Sequence, residues 1–366
     1  MFAKQTMASA SLVVVLGGVG LAQADPAPGP ADGEASTKPT PPKPTGQMQI
    51  GAGYATDDGF IAHARISQSN LFGTGDLLAL DAAISERRAR FDAHFADPHL
   101  FDSNLRLDLH LYNDILVLPP GFARAAVGTT GQLSTHLGDH LIAFAGYKLE
   151  HVEPIAGGDL LARVIDPSMP ISNAPNLYAY NIAAIRAGLA YSSVDTPLGP
   201  RRGSTFGLSL EAADPRRGSG IQYTRIDAYA STHQPLGPLT LHLTGHASAI
   251  GSQDPDGVPV PERLFLDGSR DLPGYAPGSI GPLLGGNVAA VGRAELEAPL
   301  IPSLGISVIG FYGAAGVYDL HGNGGFGQSI GVGLAWRSPL GMLRIDYAIP
   351  LGGGAAGLVF GLGERF

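Results

Sequence analysis

The sequence predicts an all-β protein, a transmembrane antiparallel β-barrel of about 16 strands. Three observations predict it. Apolar and polar residues alternate with period two through segments of ten residues and more. Only 15% of residues are charged and 44% are hydrophobic, yet beyond the first two dozen no apolar run reaches the ~20 residues of a spanning helix. And the chain closes on an alternating strand whose last residue is the aromatic Phe366.

The low charge comes first, because soluble domains carry about 25% charged residues. Many side chains here can therefore face something other than water. The 52 glycines suit tight turns and closely packed strands. There is no cysteine, which excludes disulfides, thiolate metal sites and a Cys nucleophile, and which fits an oxidising compartment. A net charge of −9 argues against a general nucleic-acid binder.

At the N-terminus, residues 1–24 read as a signal peptide. Lys4 supplies the positive start, Leu12 to Leu21 the short apolar stretch, and Ala22-Gln23-Ala24 the small-x-small cleavage site. Residues 25–46 are rich in Pro, Gly, Ala and Thr and read as a disordered tether, with little to bury. No folded periplasmic domain is expected between the signal and Gln47. The barrel is expected over 47–366.

From Gln47 the period is two. In Asn104 to Tyr112, Leu105, Leu107, Leu109 and Leu111 share one face, and Arg106, Asp108 and His110 the other. Leu239 to His246 repeats the pattern, and Leu343, Ile345, Tyr347 and Ile349 oppose Arg344, Asp346 and Ala348. Transmembrane strands need about 9–11 residues, whereas strands of soluble proteins average about 5–6. The sequence yields 16 segments, near 47–55, 60–69, 74–86, 88–97, 104–113, 121–136, 139–153, 180–194, 203–214, 219–234, 238–251, 288–299, 304–318, 325–337, 340–350 and 356–366. An even count puts both termini on one side, expected to be the periplasm. Short turns such as Gln234 to Gly237 and Ser338 to Gly341 are then periplasmic, and the long connections 154–179 and 252–287 extracellular. On the last strand, Leu358, Phe360, Leu362 and Phe366 share a face. A terminal aromatic in that setting is the usual address for the barrel-assembly machinery, so Phe360, Leu362 and Phe366 are taken as an assembly signal.

Several short motifs in order carry a resemblance. Gly51 to Gly59 is followed by Asn70-Leu71-Phe72-Gly73-Thr74-Gly75, then Asp97-Pro98 and Tyr112-Asn113-Asp114. Later come Leu284-Gly285-Gly286-Asn287, Ala294-Glu295-Leu296-Glu297-Ala298-Pro299 and Trp336-Arg337-Ser338-Pro339-Leu340-Gly341. Over 47–366 the chain resembles the BamA/TamA outer-membrane assembly barrels, the bacterial surface antigens. The resemblance implies that the long sixth extracellular loop folds toward the lumen. Its tip in that family carries V/I-R-G-F/Y, whose Arg is held by the acid of an F-x-D-x-G motif. Here the tip reads Arg270-Asp271-Leu272-Pro273-Gly274-Tyr275, with Pro273 at the Arg position. Aligning the later glycine with Gly316 puts Ala314 at the acid position, so both halves of the pair are absent together. Losing one partner alone would strand a desolvated charge, at a cost of about 3–5 kcal/mol. Tyr275, Gly274 and polar contacts from Arg270 and Asp271 are expected to hold the loop instead.

The resemblance further implies a lateral seam between the first and last strands, weakened by Gly51, Gly53, Gly361 and Gly363. POTRA domains, which normally precede such barrels, have no counterpart in 25–46. Two functions follow as expectations. The first is insertion, assembly or translocation of proteins, or lipid handling, at the outer membrane. The second is a passive channel or structural barrel that has lost that role. Expected partners are outer-membrane lipids and lipopolysaccharide, the barrel-assembly machinery, and client proteins or a separate periplasmic chain.

Other constellations favour plainer readings. No G-x-S-x-G elbow, Walker loop, H-E-x-x-H or Rossmann fingerprint appears, so no enzyme and no cofactor are expected. His242 and His246 share a strand face, better read as lumenal polar residues than as a metal pair. Asp254-Pro255-Asp256-Gly257 lacks the remaining ligands of a calcium loop and reads as a turn. Arg201-Arg202 and Arg216-Arg217 read as solvated turns that could meet lipid phosphates.

Overall fold

The computed structural model describes residues 45–119, 122–156, 178–196, 199–338, 341–353 and 356–362. Sixteen strands follow one another: β1 (Gly46–Ala55), β2 (Gly59–Leu71), β3 (Asp76–Ile84), β4 (Arg88–Asp97), β5 (Leu105–Val117), β6 (Phe122–His136), β7 (Leu141–Ala156) and β8 (Tyr180–Ser192). The second half is β9 (Gly203–Ala213), β10 (Tyr223–Leu236), β11 (Leu239–Gly251), β12 (Val288–Ile301), β13 (Ile306–Tyr318), β14 (Gly324–Ser338), β15 (Gly341–Pro350) and β16 (Gly357–Leu362). Each pairs antiparallel with its sequence neighbours, and β1 meets β16, so the sheet is a closed barrel. Closure leaves no open edge, which is what lets a sheet cross a bilayer.

The alternation dictates which face points where. On β5 the side chains of Leu109 and Leu111 are exposed on the outer wall, while Asp108 and Tyr112 are buried within. On β14 and β15, Ile330, Val332, Leu334, Ile345, Tyr347 and Ile349 face out; Ser329, Arg344 and Asp346 face in. An outward apolar belt over a polar interior suits lipid outside and a filled lumen inside. No helix among the described residues is long and apolar enough to cross a membrane; that has no bearing on strands.

The strand order matches the sequence expectation, and so does the even count; boundaries differ by a few residues. Pro235 and Leu236 belong to β10, paired with Thr240 and Leu239, so the expected turn at Gln234 to Gly237 tightens to Gly237-Pro238. Gly237 takes φ 64°, a conformation open to glycine. β1 begins at Gly46, inside the expected tether. β10 begins at Tyr223 rather than near 219. A short 3₁₀ turn at Pro215–Arg217 intervenes, capped by the Asp214 side chain, which accepts from the Arg216 N–H. The expected signal peptide, most of the expected tether, Gly363 and Phe366 lie outside the described residues.

The core is the lumen. Wall residues Val152, Tyr180, Ile182, Tyr223, Ile250 and Val317 pack with Val258, Leu264, Leu266, Leu272 and Ile280 from the connection 252–287. That connection, loop six, therefore lies inside the barrel. Its neck is closed by an antiparallel bridge between Leu264 and Gly286, N–H to O at 2.9 and 2.8 Å.

Candidate functional site: the seam and the loop inside the barrel

Two features stand out against the regular wall: the junction of the first and last strands, and loop six.

Between ordinary neighbours the ladder is long; β6 and β7 pair from Phe122↔Ala156 to His136↔Ile142. Between β1 and β16 the described ladder is Ala55↔Gly361. Thr56 N–H donates to the Phe360 carbonyl at 3.2 Å, and Phe360 N–H donates to the Thr56 hydroxyl at 2.9 Å. The backbone bond thus flanks the Ala55↔Gly361 pair, which makes it the narrow, non-hydrogen-bonded type. Tyr54 and Phe360 rings sit 6.1 Å apart across the junction. Gly51 lies opposite His63 on the β2 side, Gly53 opposite Ile61. At both Gly51 and Gly361 a methyl group would meet nothing within 4 Å, so neither is packed against a side chain. This contact lies at the end of the barrel that also carries loop six.

Loop six is held by charge at its base and by close packing at its tip. Glu262 accepts from Arg124 Nε at 2.8 Å and from the Tyr180 hydroxyl at 2.9 Å. Arg124 also holds Glu150 at 2.5 Å, so one guanidinium joins β6, β7 and the loop. Asp267 takes Arg87 at 2.6 Å and Arg270 at 2.6 Å. Arg270 also pairs with Asp58, in the β1–β2 turn. Ser269 donates both its N–H, at 2.8 Å, and its hydroxyl to Asp57. Arg293 of β12 donates to the carbonyls of Arg270 and Asp271 at 3.2 and 3.3 Å. Burial pushes the Asp57 carboxyl above its usual range, and Asp267 nearby adds to the push.

Asp271 turns inward and accepts from the Asp267 N–H at 2.6 Å. Burial raises its carboxyl to about 6. Leu272 and Pro273 are fully buried. A methyl group on Gly327 would lie 2.5 Å from Ile280 Cδ1, 3.0 Å from Tyr275 Cζ and 3.1 Å from Leu272 Cδ2. Glycine there lets the loop lie against the wall. Gly274, at φ 93°, meets Pro350 and Ala348 of β15. The Tyr275 hydroxyl donates to the Gln328 carbonyl at 3.1 Å.

One expected position is corrected. Ala314 shares the parity of the exposed Tyr312 and Val308, so it lies on the membrane side of β13. The lumenal residue facing the tip is Gly313, where a methyl group would be 2.9 Å from Leu272 Cδ1. Counting from Phe311, Gly313 takes the acid position of the F-x-D-x-G spacing. The contact there is apolar.

Sequence reading missed the lumenal ion pairs. Arg90–Asp92, Arg106–Asp108, Lys148–Glu150, Arg225–Asp227 and Arg344–Asp346 each stand two residues apart on one strand. Arg344 also reaches Glu295 of β12 at 2.6 Å. A cation and an acid two apart share a face, so this spacing was a readable signal. His242 meets His233 at 2.7 Å and Glu297 at 3.2 Å. The buried His246 Nε2 has no hydrogen-bond partner. Among the described residues no group of three or more His, Asp or Glu could hold a metal. Arg201 and Arg202 sit exposed at the terminal end of the barrel, Arg216 and Arg217 at the opposite end.

The arrangement is a closed wall whose first and last strands meet at Ala55↔Gly361, with an internal loop packed against that wall. The Omp85 superfamily domain matches residues 70–366. The outer membrane protein assembly factor BamA of Nitratidesulfovibrio vulgaris is 26% identical over 86% of this chain and 40% of its own length. That of Neisseria meningitidis serogroup B is 25% identical over 84% of this chain and 45% of its own. The chain thus spans less than half the length of these relatives. The crystal structure of BamA from Haemophilus ducreyi lacking POTRA domains 1–3 superposes with a TM-score of 0.77 at 20% identity, covering 87% of this chain and 70% of that one.

Proposed function

Because this chain belongs to the Omp85 superfamily, we propose that it is an outer-membrane barrel that inserts, assembles or translocates proteins, or handles lipid, by opening laterally between β1 and β16. The termini face the periplasm, loop six enters the lumen from the extracellular end, and Phe366 completes the strand signal for the barrel's own insertion. Gly51, Gly53 and Gly361 lie on the two strands of the seam. Its partners are outer-membrane lipids and lipopolysaccharide, the barrel-assembly machinery, and client barrels or a separate periplasmic chain.

The carrying observation is the junction itself. There Ala55 pairs with Gly361, and neither Gly51 nor Gly361 is packed against a side chain. Strands parted there would present unpaired N–H and C=O groups, a template for a client strand. Interior packing supports this reading over the passive channel, since loop six places Leu264, Leu266 and Leu272 in the lumen.

The test is a disulfide between Ala55→Cys and Gly361→Cys in a chain that otherwise has no cysteine. In a strain that needs this protein, oxidation should halt growth and deplete particular barrels or lipids from the membrane, and reductant should restore both. Full function with the disulfide closed would defeat the reading. Steady, large conductance in planar bilayers would favour the channel.

A further inference from the structure

Loop six touches the wall on both sides of the seam. On the β1 side, Ser269 binds Asp57 through its N–H at 2.8 Å and through its hydroxyl, and Arg270 pairs with Asp58. On the β16 side, Leu272 lies over Gly313 of β13 and Gly327 of β14, Gly274 lies against Pro350 of β15, and the Tyr275 hydroxyl bonds the Gln328 carbonyl of β14 at 3.1 Å. Seven consecutive residues, 269–275, therefore bridge from one flank to the other.

Asp57 and Asp58 directly follow Thr56, the last residue of β1's contact with β16. Ala55 makes the described pair with Gly361, and Thr56 donates to Phe360. If β1 moves sideways, these carboxylates move with it. The loop cannot simply follow. Arg293 of β12 holds the carbonyls of Arg270 and Asp271, and Leu272 and Pro273 are fully buried. Separation of the flanks must break the Asp57–Ser269 and Asp58–Arg270 contacts or pull the tip out of its packing.

We infer that residues 269–275 are a strap across the β1–β16 seam, with Ser269 and Arg270 as positioning residues that hold the first hairpin closed. This rests on the proposed lateral opening. The strap makes the state of loop six and the state of the seam one variable. A client or lipid that displaces the tip releases β1, and a strand wedged into the seam loosens the tip.

The experiment uses the full chain in phospholipid vesicles, spin-labelled at Ala55→Cys and Gly361→Cys. Distances are measured with the strap intact, with Asp58→Asn plus Ser269→Ala, and with Ser269→Thr, which keeps the N–H and a hydroxyl. The native strap should give a narrow distribution. The double variant should broaden it by at least one strand spacing, about 5 Å, and Ser269→Thr should restore the narrow form. Asp57→Asn alone is the milder variant should the double one fail to fold. Heat-modified migration separates loss of the barrel from opening of the seam.

Equal distributions in all folded variants would overturn the strap. Broad distributions in all would do so too, while leaving lateral opening in place. Failure of lateral opening shows elsewhere, in full function of the disulfide-closed barrel.

Discussion

Arg124 of β6 and Glu262 of loop six meet at 2.8 Å beside Glu150 and Tyr180; Glu262 is buried and Arg124 half-buried. Removing the guanidinium leaves Glu262 without its cation and Glu150 with only Lys148, at 3.9 Å. Arg124→Ala should therefore destabilise the barrel by about 3–5 kcal/mol. Glu262→Gln, which can still accept from Tyr180, should cost less. Thermal unfolding followed by the shift in gel migration checks both.

Tyr275 contributes in two ways that substitution separates. Tyr275→Phe removes only the bond to the Gln328 carbonyl and should cost about 1 kcal/mol. Tyr275→Ala also empties the contact over Gly327 and should cost about 3–5 kcal/mol if the loop cannot collapse into it. Protease cleavage within 252–287 should rise modestly in the first and strongly in the second. Equal rates in both would show that the ring is idle.

Acid should tighten loop six at Asp271. Its ordinary value is 3.8, and burial raises it to about 6 in the folded protein. Between these values the folded state binds more protons than the unfolded one, so stability falls as pH rises. The contribution is fully present below about pH 4 and is lost by about pH 6. Asp267, Arg270 and Arg293 face the same carboxyl. Protease resistance of loop six should therefore be higher at pH 5 than at pH 7, and Asp271→Asn should flatten the difference.

The outward parity of Ala314 is open to direct test. Ala314→Lys puts a charge on the lipid face and should cost up to about 2–4 kcal/mol, depending on depth. Ala314→Leu should be neutral. Gly313→Asp instead would crowd Leu272 and set an acid directly opposite Arg293, drawing that guanidinium from the carbonyls of Arg270 and Asp271, and should loosen loop six. Folding yield in vesicles distinguishes the first effect, and protease sensitivity of the loop the last.

The wall was legible because a half-buried strand writes its two faces into alternate residues, as Leu109 and Leu111 against Asp108 show. The one-residue error at Ala314 has the same root. Glycine and alanine carry no face, so Gly313-Ala314-Ala315-Gly316 gives no parity to align on, and only the exposed Tyr312 fixes it. The β1–β2 turn was read as a family motif, but its partnership with loop six was not. Asp57 and Ser269 are 212 residues apart, and no local pattern links such a pair. The within-strand ion pairs lay between these cases. Arg344-x-Asp346 shows in the sequence as alternation, and a cation two residues from an acid on one strand marks such a pair.

The bridge between Leu264 and Gly286 has a kinetic meaning. A loop already closed at its neck has lost much of its freedom before its tip touches anything, and closure over longer chain adds little. Completion of the wall and docking of the tip are then separable steps in folding. A barrel caught between them would have sixteen paired strands, a wet interior and an exposed tip. Such a species should appear during refolding as protein that resists heat-induced migration shifts while still being cut at 265–285.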